Sequence, residues 1–342
     1  MNKVTVGIIG AGRIGQLHAN NILGSTKFHL KAIADVAIEH LKGTNFEQYV
    51  PVITNRWEDL TEDPEIDAIF ICTPTSTHVR LITEIAKSGK HIFCEKPISF
   101  NIKETEKALE VVREANVKFQ IGFNRRFDKH FRKVFDIVRA GKVGTPHIIK
   151  ITSRDPEAPS ENYIEHSGGM FMDMTIHDFD MIRYLSGNEV VEVSVKAANL
   201  IDPKFARYND VDTAIITLTF ADGSLGVIDN SRQAVYGYDQ RIEVFGNEGV
   251  VSAENERYTN VQLSTKESVS IDHPKHFFLD RYKDAFIEEI NEFATAILED
   301  QPISCTGEDG IKAELIALAA QISHKEGRSV SLSEMIPKQT IV

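Results

Sequence analysis

The chain of 342 residues has few cysteines, no excess of positive charge and no long apolar run, and each shortage excludes a class of function. Its three cysteines, Cys72, Cys94 and Cys305, stand far apart in no metal-ligand spacing. Neither a disulfide framework nor a metal cluster is expected, and the scattered thiols read as those of a reduced, cytoplasmic protein. Lys and Arg number 38 against 50 Asp and Glu, a formal charge of -12 that argues against DNA, RNA or an anionic membrane as partner. No apolar run reaches the ~18 residues of a membrane span. The start, MNKVTVGIIGAG, lacks the basic stretch and longer apolar run of a secretion signal. Internal repeats and low-complexity segments are missing too. What is there is an ordinary globular composition, 42% hydrophobic and 26% charged, at a length that suits two domains.

The first half alternates strand and helix. A compact apolar run at 4–9 leads into Gly10-Ala11-Gly12-Arg13-Ile14-Gly15, after which 14–23 reads as a helix. Gly10 permits a tight turn, Gly12 lets a pyrophosphate approach the backbone, and Gly15 lets helix pack on strand. The free N–H groups of the helix start, at Arg13 and Ile14, suit phosphates. A second strand, 30–34, ends at Asp35, 20 residues beyond Gly15, where an acid binds the ribose hydroxyls and repels a 2′-phosphate. NAD is therefore expected as cofactor, in preference to NADP.

The alternation continues with a strand at 67–72 and the turn Thr73-Pro74-Thr75-Ser76-Thr77-His78, then a strand at 91–94 and the turn Glu95-Lys96-Pro97. A helix at 102–115 and a strand at 119–123 follow. This pattern predicts a doubly wound parallel sheet, a Rossmann domain over 1–123, with ligands at the carboxyl ends of its strands. Thr73 and Pro74 are expected along the ribose, with Glu95 and Asn124 as further cofactor contacts. His78 reads either as a first-turn helix residue or as another such contact. Lys96, following a buried strand and near a positive nicotinamide, is expected to have a depressed pKa and to bond a substrate hydroxyl. A surface lysine paired with Glu95 is the alternative.

Residues 124–141, NRRFDKHFRKVFDIVRAG, read as a helix whose cations mostly form a solvated face, with Asn124 and Arg125 able to reach the cleft. Beyond Thr145, strands at 147–153, 190–198, 212–220, 224–231 and 240–245, with Asp222-Gly223 as a hairpin signal, predict a mostly antiparallel open sheet. This is an α+β domain over 124–342. Helices at 282–299 and 307–327 are expected to pack back on the first domain or on the sheet.

Within it lies GGMFMDMTIHDFD, residues 168–180. Read as one helix, it sets Asp173 and His177 at i,i+4 on one face. An imidazole there can take a proton near neutral pH while the carboxylate stabilises the cation formed. A helix-surface ion pair is the plainer reading of the same spacing. A metal set of Asp173, His177 and His166 is disfavoured, since no HExxH or Cys/His cluster accompanies it.

Together, GIIGAGRIG, the EKP turn, GGMFMDMTIHDFD and the sheet that follows resemble the Gfo/Idh/MocA oxidoreductases across essentially the whole chain. With GFNRRFD and Asp35, the chain is most similar to the branch that oxidises a ring hydroxyl of myo-inositol to a ketone with NAD. The resemblance implies that Lys96, Asp173 and His177 are the catalytic set, with His177 as the base. By the same analogy Arg125, Asp155, Asp180 and Tyr236 help to bind the polyol substrate. An open sheet covered on one face leaves the other for subunit contact, and the resemblance implies a homotetramer. A non-catalytic NAD- or sugar-binding regulator is the alternative of another class.

Overall fold

The computed structural model describes residues 2–335; residues 336–342, the end of the expected second domain, lie outside the described ones. The chain divides into two compact units, Met1–Asn124 with Asp284–Lys312, and Arg125–Lys283 with Ala313–Val342. Among the described residues no helix is long and apolar enough to cross a membrane.

In the first unit β1 (Val4–Ile9), β2 (Phe28–Ala34), β3 (Val52–Thr54), β4 (Ala68–Ile71), β5 (His91–Cys94) and β6 (Phe119–Ile121) form one sheet. Its order is β3-β2-β1-β4-β5-β6, with every neighbouring pair parallel. The central strands are buried on both faces, which is why they read as continuous apolar runs rather than alternating ones. The helix Lys283–Leu298 sends Ile290, Phe293 and Ala294 into the same core as Ile8, Phe70 and Phe93. Phe70 stacks on Phe93 at 4.7 Å between ring centres and meets Phe293 edge-on at 5.8 Å. Strand order reverses about β1 and β4, so the turns after these two strands flank the switch point of the sheet.

The second unit holds β7 (Pro146–Arg154), β8 (Val190–Ala198), β9 (Thr213–Phe220), β10 (Leu225–Ser231), β11 (Asp239–Gly246) and β12 (Gly249–Ala253). A small hairpin, β13 (Gln262–Ser264) with β14 (Val269–Ile271), stands apart, and β15 (Val330–Ser331) closes the main sheet. The main order is β12-β11-β7-β10-β9-β8-β15, antiparallel except for the β7–β10 pair. Asp222-Gly223 turns β9 into β10, with Gly223 at φ +87° and the Asp222 carboxylate accepting from the Ser224 N–H at 3.0 Å. The helix Ile176–Ser186 lies on this sheet where Gly226 allows it; a Cβ there would stand 2.7 Å from the Ile182 side chain.

Two expected helices are subdivided. Residues 124–141 form a 3₁₀ turn, Asn124–Phe127, and then the helix Lys129–Arg139, because Asp128 caps the N–H groups of His130 and Phe131, each at 3.1 Å. The stretch 168–180 is likewise two helices, Gly169–Asp173 and Ile176–Ser186. The Thr175 N–H reaches back to the Met170 carbonyl at 2.9 Å, closing a wide turn, and the Thr175 hydroxyl is drawn off to Asn230 at 2.6 Å. Asp173 therefore ends one helix and His177 opens the next, so a single i,i+4 ladder does not relate them.

Candidate active site

In the first unit the glycine turn has the geometry a dinucleotide needs. Gly10 sits at φ +93° against the backbone of Cys72 and Thr73, and a Cβ on Gly15 would stand 1.9 Å from the Gly10 carbonyl oxygen. A Cβ on Gly12, by contrast, would meet nothing within 4 Å, so that face is open to a phosphate. Arg13 and Ile14 form the first turn of the helix Arg13–Leu23, exposed and half-buried respectively. Asp35 accepts from the Ala11 N–H at 2.6 Å and from the Ala37 N–H at 2.8 Å, which holds its carboxylate beside the glycine turn. These residues fit NAD, phosphates at the helix start and ribose at the acid.

The two later turns are joined by His78, the ring expected either in the first helical turn or at the cofactor. It is buried, with Nδ1 2.8 Å from the Pro97 carbonyl and Nε2 2.9 Å from the Thr73 carbonyl. Burial pushes its pKa down against the pull of those carbonyls. Both nitrogens are thus committed to holding TPTSTH against EKP. Thr73 bonds the Thr77 hydroxyl at 2.6 Å, Pro74 is exposed, Lys96 is half-buried and Asn124 is buried. The half-buried Glu95 accepts from His18 Nε2 at 2.9 Å.

In the second unit Asp173 is 8% exposed and both its oxygens are engaged. The Tyr163 hydroxyl donates to Oδ1 at 2.7 Å and Arg232 Nη2 donates to Oδ2 at 3.0 Å. Arg232 Nη1 reaches Asp155 at 3.1 Å, so one buried guanidinium bridges two of the expected site acids. Burial alone would lower the Arg232 pKa, but Asp173, Asp155 and Asp210 together raise it. Burial pushes Asp155 up and Arg232 opposes that; Tyr163 is raised by burial and by Asp173. Arg232 supplies the positive charge that the metal reading would assign to an ion at Asp173, while His166 is exposed and bonds the Asn162 carbonyl. His177 is half-buried in the first turn of its helix.

Two expected substrate residues turn inward. Arg125 is 4% exposed and pairs with Asp178, which also accepts from Asn230 at 2.9 Å. Arg125 further reaches the Ser153 hydroxyl at 3.3 Å. Asp180 is 1% exposed and takes two bonds from Arg126, at 2.8 and 2.6 Å. Desolvation makes each of these charges depend on its partner. Tyr236, half exposed, donates to Asp239 at 2.6 Å and accepts from Arg154 at 3.1 Å. The paired glycines are required by the fold at this point. Gly168 and Gly169 lie at φ +83° and +81°, and the Asp210 carboxylate sits 3.0 Å from where a Gly169 Cβ would be while accepting from the Met170 N–H at 2.8 Å.

Sequence reading missed Arg126, Tyr163, Asp178, Asn230 and Arg232. The alternating acids Asp178 and Asp180 match the adjacent cations Arg125 and Arg126, but the helical stripe assigns Arg126 to the solvated face. Nothing local marked Arg232, which enters from the end of β10.

Residues 4–123 match the model of an oxidoreductase family with an NAD-binding Rossmann fold, and residues 131–252 match that of the GFO/IDH/MocA C-terminal domain. The chain is 54% identical to the uncharacterized oxidoreductase YrbE of Bacillus subtilis over 96% of this chain and 97% of that protein. It is 45% identical to the myo-inositol 2-dehydrogenase of Thermotoga maritima, over 97% and 99% respectively. Its fold superposes on the crystal structure of a scyllo-inositol dehydrogenase from Lactobacillus casei with bound NAD(H) and scyllo-inositol. That match has a TM-score of 0.91 at 30% identity and covers 97% of this chain and 100% of the other.

Replacing Arg232 by Met removes the cation between Asp173 and Asp155 and leaves the buried Asp173 without its guanidinium. Thermal or denaturant unfolding is expected to register a loss of roughly 3–5 kcal/mol. An Arg232→Met protein as stable as the parent would show that Asp173 does not rely on it.

Proposed function

Because the chain belongs to the Gfo/Idh/MocA family of NAD-binding oxidoreductases, we propose that it oxidises a ring hydroxyl of a cyclic polyol, most closely myo-inositol to its 2-ketone. The kinship with proteins named for myo-inositol and scyllo-inositol supports the substrate class. The observation that carries it is the pairing of Arg125, Arg126 and Arg232 with Asp178, Asp180, Asp173 and Asp155. Buried guanidiniums neutralised in this way suit an uncharged polyhydroxy substrate, whereas a phosphate or carboxylate would compete for them. Another inositol isomer or a sugar is the nearest alternative in substrate, and a regulator that binds NAD without turnover is the alternative in kind.

In this reading His177 takes the hydroxyl proton, and the charge of Asp173 stabilises the imidazolium that results. Lys96 donates to the alcohol oxygen and offsets the negative charge that develops there. NAD, held at the Gly10–Gly15 turn and Asp35, would supply the hydride acceptor. Asp155 and Tyr236 bond neighbouring hydroxyls and so select the carbon that reacts, while Arg125 and Asp180 act through their partners as positioning residues. The protein works in the cytoplasm as a homotetramer. Supporting assembly through the main sheet, Val250, Phe245, Ile148 and Leu225 are successive cross-strand partners on β12, β11, β7 and β10, and Val250, Phe245 and Leu225 are exposed.

With inositol isomers and aldoses supplied alongside NAD, NADH formation is expected with myo-inositol above the rest. Lys96→Ala and His177→Ala are each expected to keep NAD binding, read by fluorescence titration, and to lose roughly 10²–10⁴-fold in turnover. Full kcat in either variant would remove its assigned role, and NAD binding without turnover of any polyol would favour the regulator. Sedimentation at micromolar protein is expected to give the tetramer; a monomer would contradict assembly through the sheet.

A further inference from the structure

Beneath the EKP turn lies a polar cluster in an apolar setting. His18, from the helix Arg13–Leu23, and Glu289, from the helix Lys283–Leu298, are both 0% exposed. Ligand atoms of His18, Glu95 and Glu289 lie within 4.8 Å of one another. The His18 ring is walled by Phe70, Phe93 and Phe286, at 5.7, 5.1 and 5.9 Å between centres. Among the described residues no N–H or hydroxyl reaches either oxygen of Glu289, although its backbone carbonyl accepts from Gln120 at 2.9 Å. A charged carboxylate so placed would cost several kcal/mol.

The hydrogen-bond geometry selects one arrangement of protons. His18 Nε2 is 2.9 Å from Glu95, and His18 Nδ1 has no acceptor among the described residues. A proton on Nε2 with Nδ1 bare therefore leaves no buried N–H stranded. That ring donates to Glu95, and no lone pair of Nε2 is left for a metal. The remaining carboxyl group, Glu289, has no donor in reach among the described residues and lies within 4.8 Å of the Glu95 carboxylate, which could accept a proton from it. We infer that Glu289 is a neutral acid whose O–H, with the Nε2–H of His18, holds the Glu95 carboxylate, making Glu289 a positioning residue for the adjoining Lys96.

Burial and the nearby Glu95 push the Glu289 pKa well up, in agreement with this. The other titratable groups around the cluster are Cys72, raised by burial and by Glu95, Cys94, which bonds the Glu95 carbonyl at 3.2 Å, and His78 with Lys96. Gly122 makes room for the arrangement, since a Cβ there would stand 3.2 Å from the Glu95 carboxyl atoms. Only the kinetic consequence rests on the role proposed for Lys96; the protonation itself does not.

The sign follows from linkage. The folded protein holds a proton on Glu289 that the unfolded chain releases above its ordinary carboxyl pKa, so this group favours folding less as pH rises towards its raised folded value. The melting temperature of the parent is expected to fall from about pH 6 to about pH 9 more steeply than that of Glu289→Gln, which donates without titrating. Infrared spectra at about pH 8 should contain a protonated-carboxyl band that Glu289→Gln loses. Glu289→Gln should retain turnover and Glu289→Leu should lose it. Equal pH slopes, a band that survives in Glu289→Gln, or a stoichiometric divalent cation found bound to the parent and lost in Glu289→Gln would each overturn the inference. Failure of the proposed activity would leave the infrared and melting results standing.

Discussion

Desolvated carboxylates, each matched by a guanidinium, govern the second unit. Asp173, Asp178 and Asp180 fall in one short stretch and are all buried, so each needs a partner as a condition of folding. Arg232, Arg125 and Arg126 supply those partners from the end of β10 and from the 3₁₀ turn before the helix Lys129–Arg139. The pairs are weak evidence for stability as such, since apolar replacements of equal shape can match them. What they fix is orientation. Asp173 is held between Tyr163 and Arg232, and a proton-handling role for it depends on that clamp.

The first unit solves a different problem, the exact placing of backbone around a ligand. Gly10 and Gly15 are required by close contacts within the protein, while Gly12 faces open space. The turns that carry Thr73 and Lys96 are fixed to each other by the buried ring of His78, and Glu95 is fixed from below by His18. Contacts within the protein thus set the position of Thr73 and Lys96.

The elements legible in the sequence were those with a local cause. β1 and its glycine turn followed from a buried apolar run and three glycines, and the β9–β10 hairpin from Asp222-Gly223. The single helix drawn through 168–180 was wrong because its break has a tertiary origin: Thr175 is bonded to Asn230, 55 residues away, and no glycine or proline interrupts the run there. Arg125 and Asp180 stand out in the sequence, but burial turns both towards partners that periodicity cannot identify. Arg232 was invisible for the same reason. A salt bridge between residues 59 positions apart leaves no trace in either local pattern.

The proposed reaction moves a hydride from the carbinol carbon of a cyclic polyol to NAD. It is tested with myo-inositol deuterated at the carbon bearing the reacting hydroxyl, the reduced cofactor being weighed by mass spectrometry. Deuterium is expected in NADH, with slower turnover of the labelled substrate. Unlabelled NADH, with the deuterium kept in the product or lost to water, would contradict it.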